Sequence, residues 1–335
     1  MSIKSTTLKE IAKQLNISKS TVSRALNDDY SVSAKTKQLV LDCARELNYT
    51  PNFAAKSLKN GKSNVIGIIA NTIDNNFIAK LLSGVELVAY KHGYNVVICQ
   101  NRESYELEVS NLNYLAAKAV DGLLVSLSSE TTSIAHFTEL QQKGLPMVFF
   151  DRVPDNADIH KVEANNFKAS YEATTYLIEQ GHTRIAQITS NPSVSITKQR
   201  LAGYHQALSD HHIPFNEQYV QYCLHGGFDM DEVEDVMNTL LKSDAPPQAI
   251  IAASDRITTN CITLLYWLKY QIPQDIALLG FSNNDLINVL SPQIPIIELP
   301  AFEMGVAAAE LLMRNIKKGA MPFEFQSLDA RLVVG

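Results

Sequence analysis

The sequence predicts a small all-α N-terminal domain followed by a larger α/β body of two doubly wound parallel-sheet subdomains. Apolar residues recur at helical spacing near the N-terminus, whereas apolar strand-like runs alternate with helical segments further on, and this alternation restarts once. The chain has 335 residues, of which 46% are apolar and 19% charged. At roughly 100–200 residues per domain, this length accommodates about two or three domains.

Neither a membrane segment nor an export signal is expected. No apolar run approaches the ~20 residues that a membrane helix needs, and the N-terminus, MSIKSTTLKE, lacks the apolar core of a secretory signal. The cysteines are scattered without a CxxC pair, at positions 43, 99, 223 and 261. This spacing favours buried thiols in a reducing compartment over disulfides or a zinc site, so we expect a cytoplasmic protein.

Charge is distributed unevenly along the chain. Residues 1–62 contain 11 Lys or Arg and 5 Asp or Glu, a net charge of +6, while the remainder contains 18 and 30, a net charge of −12. A basic module joined to an acidic body suggests a polyanionic partner for the first part alone. A chance cluster of solvated lysines explains the charge equally well. The residue pattern of this segment is therefore needed to distinguish a polyanion-binding module from such a cluster.

The first fifty residues predict three short helices. Thr7 and Glu10 have the spacing of a capping box at the start of the first helix. Ser18 and Ser33 suit the N-caps of a second helix, at 19–26, and of a third. The third helix is expected to bury Leu39, Val40, Cys43 and Leu47. Three short helices with a tight first connection describe a helix-turn-helix.

The outward face of the second predicted helix distinguishes this domain from a generic three-helix bundle. Lys19, Ser20, Ser23 and Arg24 lie on it. Their side chains are hydrogen-bond donors of a length suited to base edges in the major groove. A generic bundle would share the apolar spacing but would not require this face.

A short basic segment, TPNFAAKSLKNGK, follows at 50–62. Thr50 can cap it, Pro51 fits the first helical position, and Gly61 fits the position past the end. A helix of about two turns is only marginally stable in water, and Leu58 has few apolar neighbours within it. The segment therefore suits a hinge that orders on DNA and inserts Leu58 into the minor groove. An ordinary linker that happens to contain a leucine is the alternative.

The body predicts two sheets and a cleft between them. Strands are expected at 64–70, 94–99, 122–125 and 147–150, and again at 184–189, 249–252 and 277–281. Since ligands bind outside the carboxyl ends of parallel strands, facing sheets would hold a ligand between them. Polar residues past strand ends recur at 71–77, 126, 128, 151–152, 165–166, 190–200, 254–256 and 282–284, with aromatic Phe77 and Phe228. Any one of them could be an ordinary helix cap, but the combination is typical of sugar sites.

The segments TLKEIAKQLNISKSTVSRALN and LNYTPNFAAKSL resemble the LacI/GalR family of transcription regulators, and the resemblance continues along the chain. It implies a helix-turn-helix domain at 1–50, a hinge helix at 51–62 and a periplasmic-binding-protein-like effector and dimerisation domain at 63–335. The implied subdomains are about 63–162 plus 293–325 and about 163–292 plus 326–335. The residues that the resemblance and the helix pattern assign to DNA are Thr7, Lys19, Ser20, Thr21, Ser23, Arg24, Asn27, Tyr49, Asn52, Ala55, Lys56 and Leu58.

The resemblance also maps effector positions. Asp151 follows VFF, Arg200 stands in RLAGY, and Phe228 matches a frequent aromatic. Two positions depart from the family pattern: Ser282 stands where many members have Asp, and NNFI at 75–78 replaces Asn-Pro-Phe-Phe. The residues assigned to the effector are Asn75, Phe77, Ser126, Asp151, Arg200, Phe228, Ser254, Asp255 and Ser282.

The sequence therefore predicts a homodimeric transcriptional regulator, a repressor, whose affinity for double-stranded operator DNA responds to a small effector such as a sugar. No catalytic constellation, metal motif or cofactor motif is found, since GKS at 61–63 lacks the first glycine of a P-loop and precedes a strand. A sugar-binding module of solute-receptor type without DNA function is the alternative, and an enzyme acting on sugars ranks third.

Overall fold

The computed structural model describes residues 6–49, 61–155, 158–289, 293–319 and 321–334. The chain divides into two compact units, residues 1–63 and 64–335, which we call the head and the body. The predicted hinge contacts Asn52, Ala55, Lys56 and Leu58 lie outside the described residues.

The head contains the three expected helices, α1 (Leu8–Gln14), α2 (Lys19–Leu26) and α3 (Ala34–Glu46). Ile11, Val22 and Val40, one from each helix, are fully buried at its centre. Leu39 was expected to join them, and that expectation is wrong because the side chain is 53% exposed. The buried stripe of α3 runs through Val40 and Cys43, and the ~100° turn per residue carries Leu39 off its edge.

The body follows in chain order. Its first series comprises β1 (Val65–Ala70), α4 (Asn76–Lys91), β2 (Asn95–Gln100), α5 (Tyr105–Ala117), β3 (Gly122–Val125), α6 (Ala135–Gln142), β4 (Met147–Phe150) and β5 (Lys161–Ala164). Its second series comprises α7 (Asn166–Glu179), β6 (Ile185–Thr189), α8 (Ser195–Asp210), β7 (Val220–Tyr222), α9 (Met230–Leu241), β8 (Ala249–Ala252), α10 (Asp255–Trp267), β9 (Ala277–Phe281) and β10 (Ile296–Glu298). The chain ends with α11 (Ala301–Lys318), β11 (Phe325–Leu328) and β12 (Arg331–Val333).

These strands form two sheets among the described residues. The first has the order β11-β5-β4-β3-β1-β2 and the second the order β12-β10-β9-β8-β6-β7. Neighbouring strands are parallel except β10 and β12, which are antiparallel. Central strands such as β3 and β8 are buried along their whole length, as expected of a parallel sheet covered by helices on both faces.

The chain crosses between the sheets a few residues later than expected. It leaves the first sheet after β5, returns after β10 and crosses again after β11. The family resemblance implies that residues 293–325 belong to the first subdomain and residues 326–335 to the second, but β10 pairs with β9 and β11 pairs with β5. Three- and four-residue strands acquire their sheet from non-local pairing, which local pattern does not encode.

A helix pair in each subdomain packs at backbone contact through a glycine. A Cβ on Gly84 of α4 would lie 2.2 Å from the carbonyl oxygen of Phe302 of α11. In the second subdomain, a Cβ on Gly203 of α8 would lie 2.2 Å from the carbonyl oxygen of Phe167 of α7. Glycine is required at both positions because any side chain would push the helices apart.

Across the described ranges, no helix is both long and apolar enough to traverse a bilayer.

Candidate functional site

Helix α2 presents the polar face that the sequence predicted. Lys19, Ser20 and Arg24 are exposed along it, while Val22 and Ala25 turn into the head core. The helix begins where predicted, since the Ser18 Oγ accepts a hydrogen bond from the Thr21 N–H at 3.1 Å. The exposed face is therefore held by a short, capped helix.

The other predicted DNA contacts in the head take part in local hydrogen bonds or packing. The Thr7 N–H donates to Glu10 Oε2 at 2.6 Å, which holds the start of α1. Thr21 Oγ1 lies 2.9 Å from Ser18 Oγ, and Asn27 Nδ2 donates to the Ser23 carbonyl at 2.7 Å. The ring of Tyr49 packs against the head core, and burial raises its pKa.

The body contains a cavity of about 90 Å³ between the carboxyl ends of the two sheets, which we call the inner cavity. Eight of the nine predicted effector residues line it, namely Asn75, Phe77, Asp151, Arg200, Phe228, Ser254, Asp255 and Ser282. Three charged residues outside that predicted set, Glu103, Arg152 and Arg256, also line it. The cavity wall thus contains three carboxyl groups and three guanidinium groups.

Ser126 is not on the cavity wall, contrary to expectation. It is fully buried, and its hydroxyl donates to Asn71 Oδ1 at 2.9 Å. Asn71 itself lines the cavity and donates from Nδ2 to the Leu127 carbonyl at 2.9 Å. Ser126 therefore orients a lining residue from behind.

Arg200 is the most buried cation of the site, with 3% exposure. Its Nε donates to Asn166 Oδ1 at 2.9 Å and its Nη1 donates to the Ala253 carbonyl at 2.6 Å. The guanidinium also lies 4.3 Å from the ring centre of Phe281. Burial lowers its pKa to about 10, which still leaves the group charged at neutral pH.

Asp151 follows β4 in the left-handed region, with φ of 57°, a conformation that Asp and Asn tolerate better than most residues. Burial raises the pKa of its carboxyl group, although the charges of Arg152 and Arg200 oppose that effect. Burial likewise raises the pKa of Asp255, whose Oδ1 accepts a short hydrogen bond from the Ser282 hydroxyl. Two carboxylates are thus held largely away from water inside the cavity.

Two further ion pairs border the cavity. Arg152 Nη1 lies 2.5 Å from Glu103 Oε2. Burial alone would raise the pKa of Glu103, but the charge and hydrogen bond of Arg152 hold it below its ordinary value. Arg256 Nη2 lies 2.9 Å from Asp74 Oδ2, and its guanidinium lies 4.1 Å from the ring centre of Phe228. The Asp74–Arg256 pair joins the two subdomains across the mouth of the cleft.

Two family models match this chain, one in the head and one in the body. Residues 7–52 match the family model described as bacterial regulatory proteins, lacI family, and residues 63–327 match periplasmic binding proteins and sugar binding domain of LacI family. The chain belongs to the LacI family. A LacI-family head joined to an effector-binding body makes it a DNA-binding transcriptional regulator, and the solute-receptor alternative is not favoured because it has no place for the head.

Relatives within the LacI family match nearly the whole chain. The HTH-type transcriptional repressor PurR of Aliivibrio salmonicida is 31% identical over 311 residues, covering 93% of this chain and 92% of that protein. The ribose operon repressor of Halalkalibacterium halodurans is 31% identical over 329 residues, covering 98% and 96%.

Solved structures agree in fold. The transcriptional regulator CelR–cellobiose complex has a TM-score of 0.73 at 26% identity and covers 98% of each chain. The Lac repressor dimer bound to operator and the anti-inducer ONPF has a TM-score of 0.86 at 22% identity and covers 99% of this chain and 98% of that one.

Sequence reasoning missed Glu103 as a lining residue because it lies past the end of β2, in a turn with φ of 65°. A search of every strand end would have found it, since β2 neighbours β1 in the sheet. Arg256 was recognised as a polar residue past a strand end, but its stacking on Phe228 depends on tertiary structure.

Proposed function

We propose that the inner cavity binds a small neutral carbohydrate that controls the affinity of the head for operator DNA. The observation that carries this proposal is the balance of groups around one cavity. Arg152 and Arg256 each lie beside a carboxylate, whereas Arg200 donates hydrogen bonds to the neutral oxygens of Asn166 and Ala253. A wall of this kind carries no net charge. Its guanidinium groups can donate two hydrogen bonds to neighbouring hydroxyl groups of a sugar, and its carboxylates can accept two from them.

The aromatic side chains support the same ligand class. Phe77 and Phe228 line the cavity from opposite subdomains, and aromatic faces suit the C–H surface of a sugar ring. The names of two similar proteins, a ribose operon repressor and a regulator in complex with cellobiose, also favour a carbohydrate.

Calorimetric titration of the purified full-length protein with neutral monosaccharides, disaccharides and nucleobases tests the effector class. We expect the wild-type protein to bind a carbohydrate saturably. We expect Asp255→Asn to lose this binding, because the substitution replaces the lining carboxylate that accepts a hydrogen bond from the Ser282 hydroxyl. Thr239→Ala, an exposed change on α9, serves as the control. Binding of a nucleobase with no response to any carbohydrate would contradict the proposal.

For DNA, we propose that the exposed face of α2 reads base edges through Lys19, Ser20 and Arg24. Thr7, Thr21, Ser23, Asn27 and Tyr49 stay proposed as further DNA contacts of the head. The hinge contacts Asn52, Ala55, Lys56 and Leu58 stay predictions from the sequence.

Selection from a random duplex library, followed by competition between selected and unselected duplexes, tests the α2 face. Lys19→Ala or Arg24→Ala should weaken binding to the selected duplex by about 5- to 150-fold, as expected for a lost base contact of ~1–3 kcal/mol. Lys35→Ala, an exposed lysine on α3, should change selected and unselected binding about equally. Unchanged competition curves for Lys19→Ala and Arg24→Ala would exclude this face.

The remaining assignments follow from this function. We propose a homodimer, because twofold symmetry matches two operator half-sites, and a repressor, because the similar regulators bear that name. We also propose that the protein acts in the cytoplasm, where operator DNA lies, and that it catalyses no reaction.

A further inference from the structure

A larger cavity of about 820 Å³ adjoins the inner cavity. We call it the outer cavity. Residues from the segments 127–135 and 152–155 of the first subdomain and 193–198 of the second line it. Arg152 lines both cavities, so the two spaces meet at that side chain.

The outer cavity presents hydroxyl groups. Eight of its lining side chains are Ser or Thr. Its charged groups have partners already: Lys198 Nζ lies 3.4 Å from Asp155 Oδ2, and Glu139 Oε1 lies 2.9 Å from Lys143 Nζ. A wall of neutral donors and acceptors, with its charges paired, favours a neutral polyhydroxyl ligand over a phosphate.

One hydroxyl in this wall is unsatisfied. Among the described residues, Ser195 Oγ is buried and has no hydrogen-bond partner. Ser195 is also the first residue of α8, whose start lacks a side-chain cap. A buried hydroxyl without a partner is costly, so a ligand hydroxyl placed there would gain a favourable bond.

A buried carboxylate holds the rest of the wall in place. Glu108 is fully buried on α5, and its Oε2 accepts from the Ser128 N–H at 2.8 Å. Its Oε1 accepts from Thr131 Oγ1 at 2.7 Å and lies 3.1 Å from His136 Nε2. This segment is therefore ordered before any ligand arrives, which reduces the entropic cost of binding.

Both subdomains contribute to the outer cavity. The Ser193 hydroxyl of the second subdomain donates to the Ser129 carbonyl of the first at 3.0 Å. A ligand seated here would touch both sides of the same cleft as the inner cavity, and binding would favour this subdomain arrangement.

We propose that the outer cavity is a second sugar subsite, and that the effector is a neutral disaccharide or longer oligosaccharide. One terminal unit enters the inner cavity past Arg152, and the next unit occupies the outer cavity. This inference rests on the proposed carbohydrate function, and it adds the length of the ligand to that function. The proposal rests on the contrast between the small inner cavity, lined by charged side chains, and the large outer cavity, lined by hydroxyl groups.

Calorimetric titration of the full-length protein with matched sugars tests the inference. The probes are glucose, xylose and galactose, each compared with neutral disaccharides that contain it. We expect a disaccharide to bind at least about tenfold more tightly than its own monosaccharide, the size of effect that ~1.4 kcal/mol of added contact gives.

Two variants in the outer cavity and one control variant locate that gain. Thr132→Trp, at an exposed lining position, places an indole ring in the outer cavity and should reduce the advantage of the disaccharide while leaving monosaccharide binding unchanged. Thr239→Trp places the same ring on the exposed face of α9, away from either cavity, and should retain the advantage. Ser195→Ala should weaken disaccharide binding several-fold without affecting the monosaccharide, and it supplies the test if Thr132→Trp fails to fold.

The outcomes separate the two proposals. Equal affinity for monosaccharide and disaccharide in the wild type, or a disaccharide advantage that survives both Thr132→Trp and Ser195→Ala, would overturn the outer subsite and leave a monosaccharide effector in place. Failure of every saccharide to bind would overturn the carbohydrate effector, and the outer subsite with it.

Discussion

Among single side chains, Asp151 combines an unfavourable environment for its charge with a position on the cavity wall. Its carboxyl group is buried and its pKa is raised above 3.8 by that burial. In the unfolded chain the group ionises at its ordinary pKa, so folding disfavours the ionised form. The cost to stability is absent at pH values below 3.8 and grows as the pH rises through the folded pKa.

Asp151→Asn should therefore raise the free energy of unfolding at pH 7 while removing effector binding. Asparagine keeps the shape and tolerates the left-handed backbone. Urea unfolding at a series of pH values measures the first effect, and the advantage of the variant should shrink as the pH falls towards 3.8. A variant less stable than the wild type at pH 7 would show that attraction to Arg152 and Arg200 outweighs the desolvation.

Arg200 differs from Asp151 because its two hydrogen bonds depend on the shape of the guanidinium group. Arg200→Lys keeps a charge but cannot reproduce both the bond to Asn166 and the bond to the Ala253 carbonyl. We expect a loss of about 2 kcal/mol in the free energy of unfolding, the size of a buried charged hydrogen bond, together with weaker effector binding.

The matched control is Arg184→Lys. Arg184 Nε also donates to a carbonyl, that of Pro246 at 2.9 Å, but at an exposed position. Its replacement should change the urea midpoint little. Equal losses in the two variants would show that burial is not what makes Arg200 important.

For the helices, α2 illustrates how one element separates stability from recognition. Ser18 caps it, whereas Ser20, two residues later, is exposed on its outward face. Ser18→Ala should destabilise the head by about 1 kcal/mol, the usual worth of an N-cap. Ser20→Ala should leave stability unchanged and alter DNA binding alone. Circular dichroism during thermal unfolding, combined with duplex titration, distinguishes them, and a destabilised Ser20→Ala would contradict the assignment.

Two helices of the body start several residues earlier than the sequence predicts. The apolar periodicity predicts helices over 201–211 and 259–270, but α8 starts at Ser195 and α10 at Asp255. Both first turns are mostly polar, with one isoleucine each, Ile196 and Ile257, and their polar residues line the cavities. Functional first turns therefore weaken the periodic signal that identifies a helix.

For the whole molecule, regulation requires a coupling free energy between effector binding and operator binding. Whatever factor the effector applies to operator affinity, the operator must apply to effector affinity. We expect that factor to lie at about 5- to 150-fold, corresponding to ~1–3 kcal/mol.

Calorimetric titration of the effector, with and without a saturating selected duplex, measures the factor from one side, and duplex titration with and without effector measures it from the other. An unselected duplex is the control and should give no coupling. A selected duplex that leaves effector affinity unchanged would show that the cleft does not regulate the head.

Much of this architecture was determined by the sequence. The periods of apolar residues predicted three head helices and two βα series, because burial of one stripe or of a whole strand imposes those periods locally. Polar residues at strand ends predicted most of the inner cavity, because parallel strands bring their carboxyl ends to one edge.

Only the tertiary structure decided which of those polar residues meet. Ser126 and Asn71 both follow strands, yet one is buried behind the other. Arg256 reaches Asp74 from 182 positions away in the chain, and the Glu103–Arg152 pair depends on how two loops lie at one sheet edge. The order of strands, the crossing points and the outer cavity arise from long-range packing, which no local pattern of residues contains.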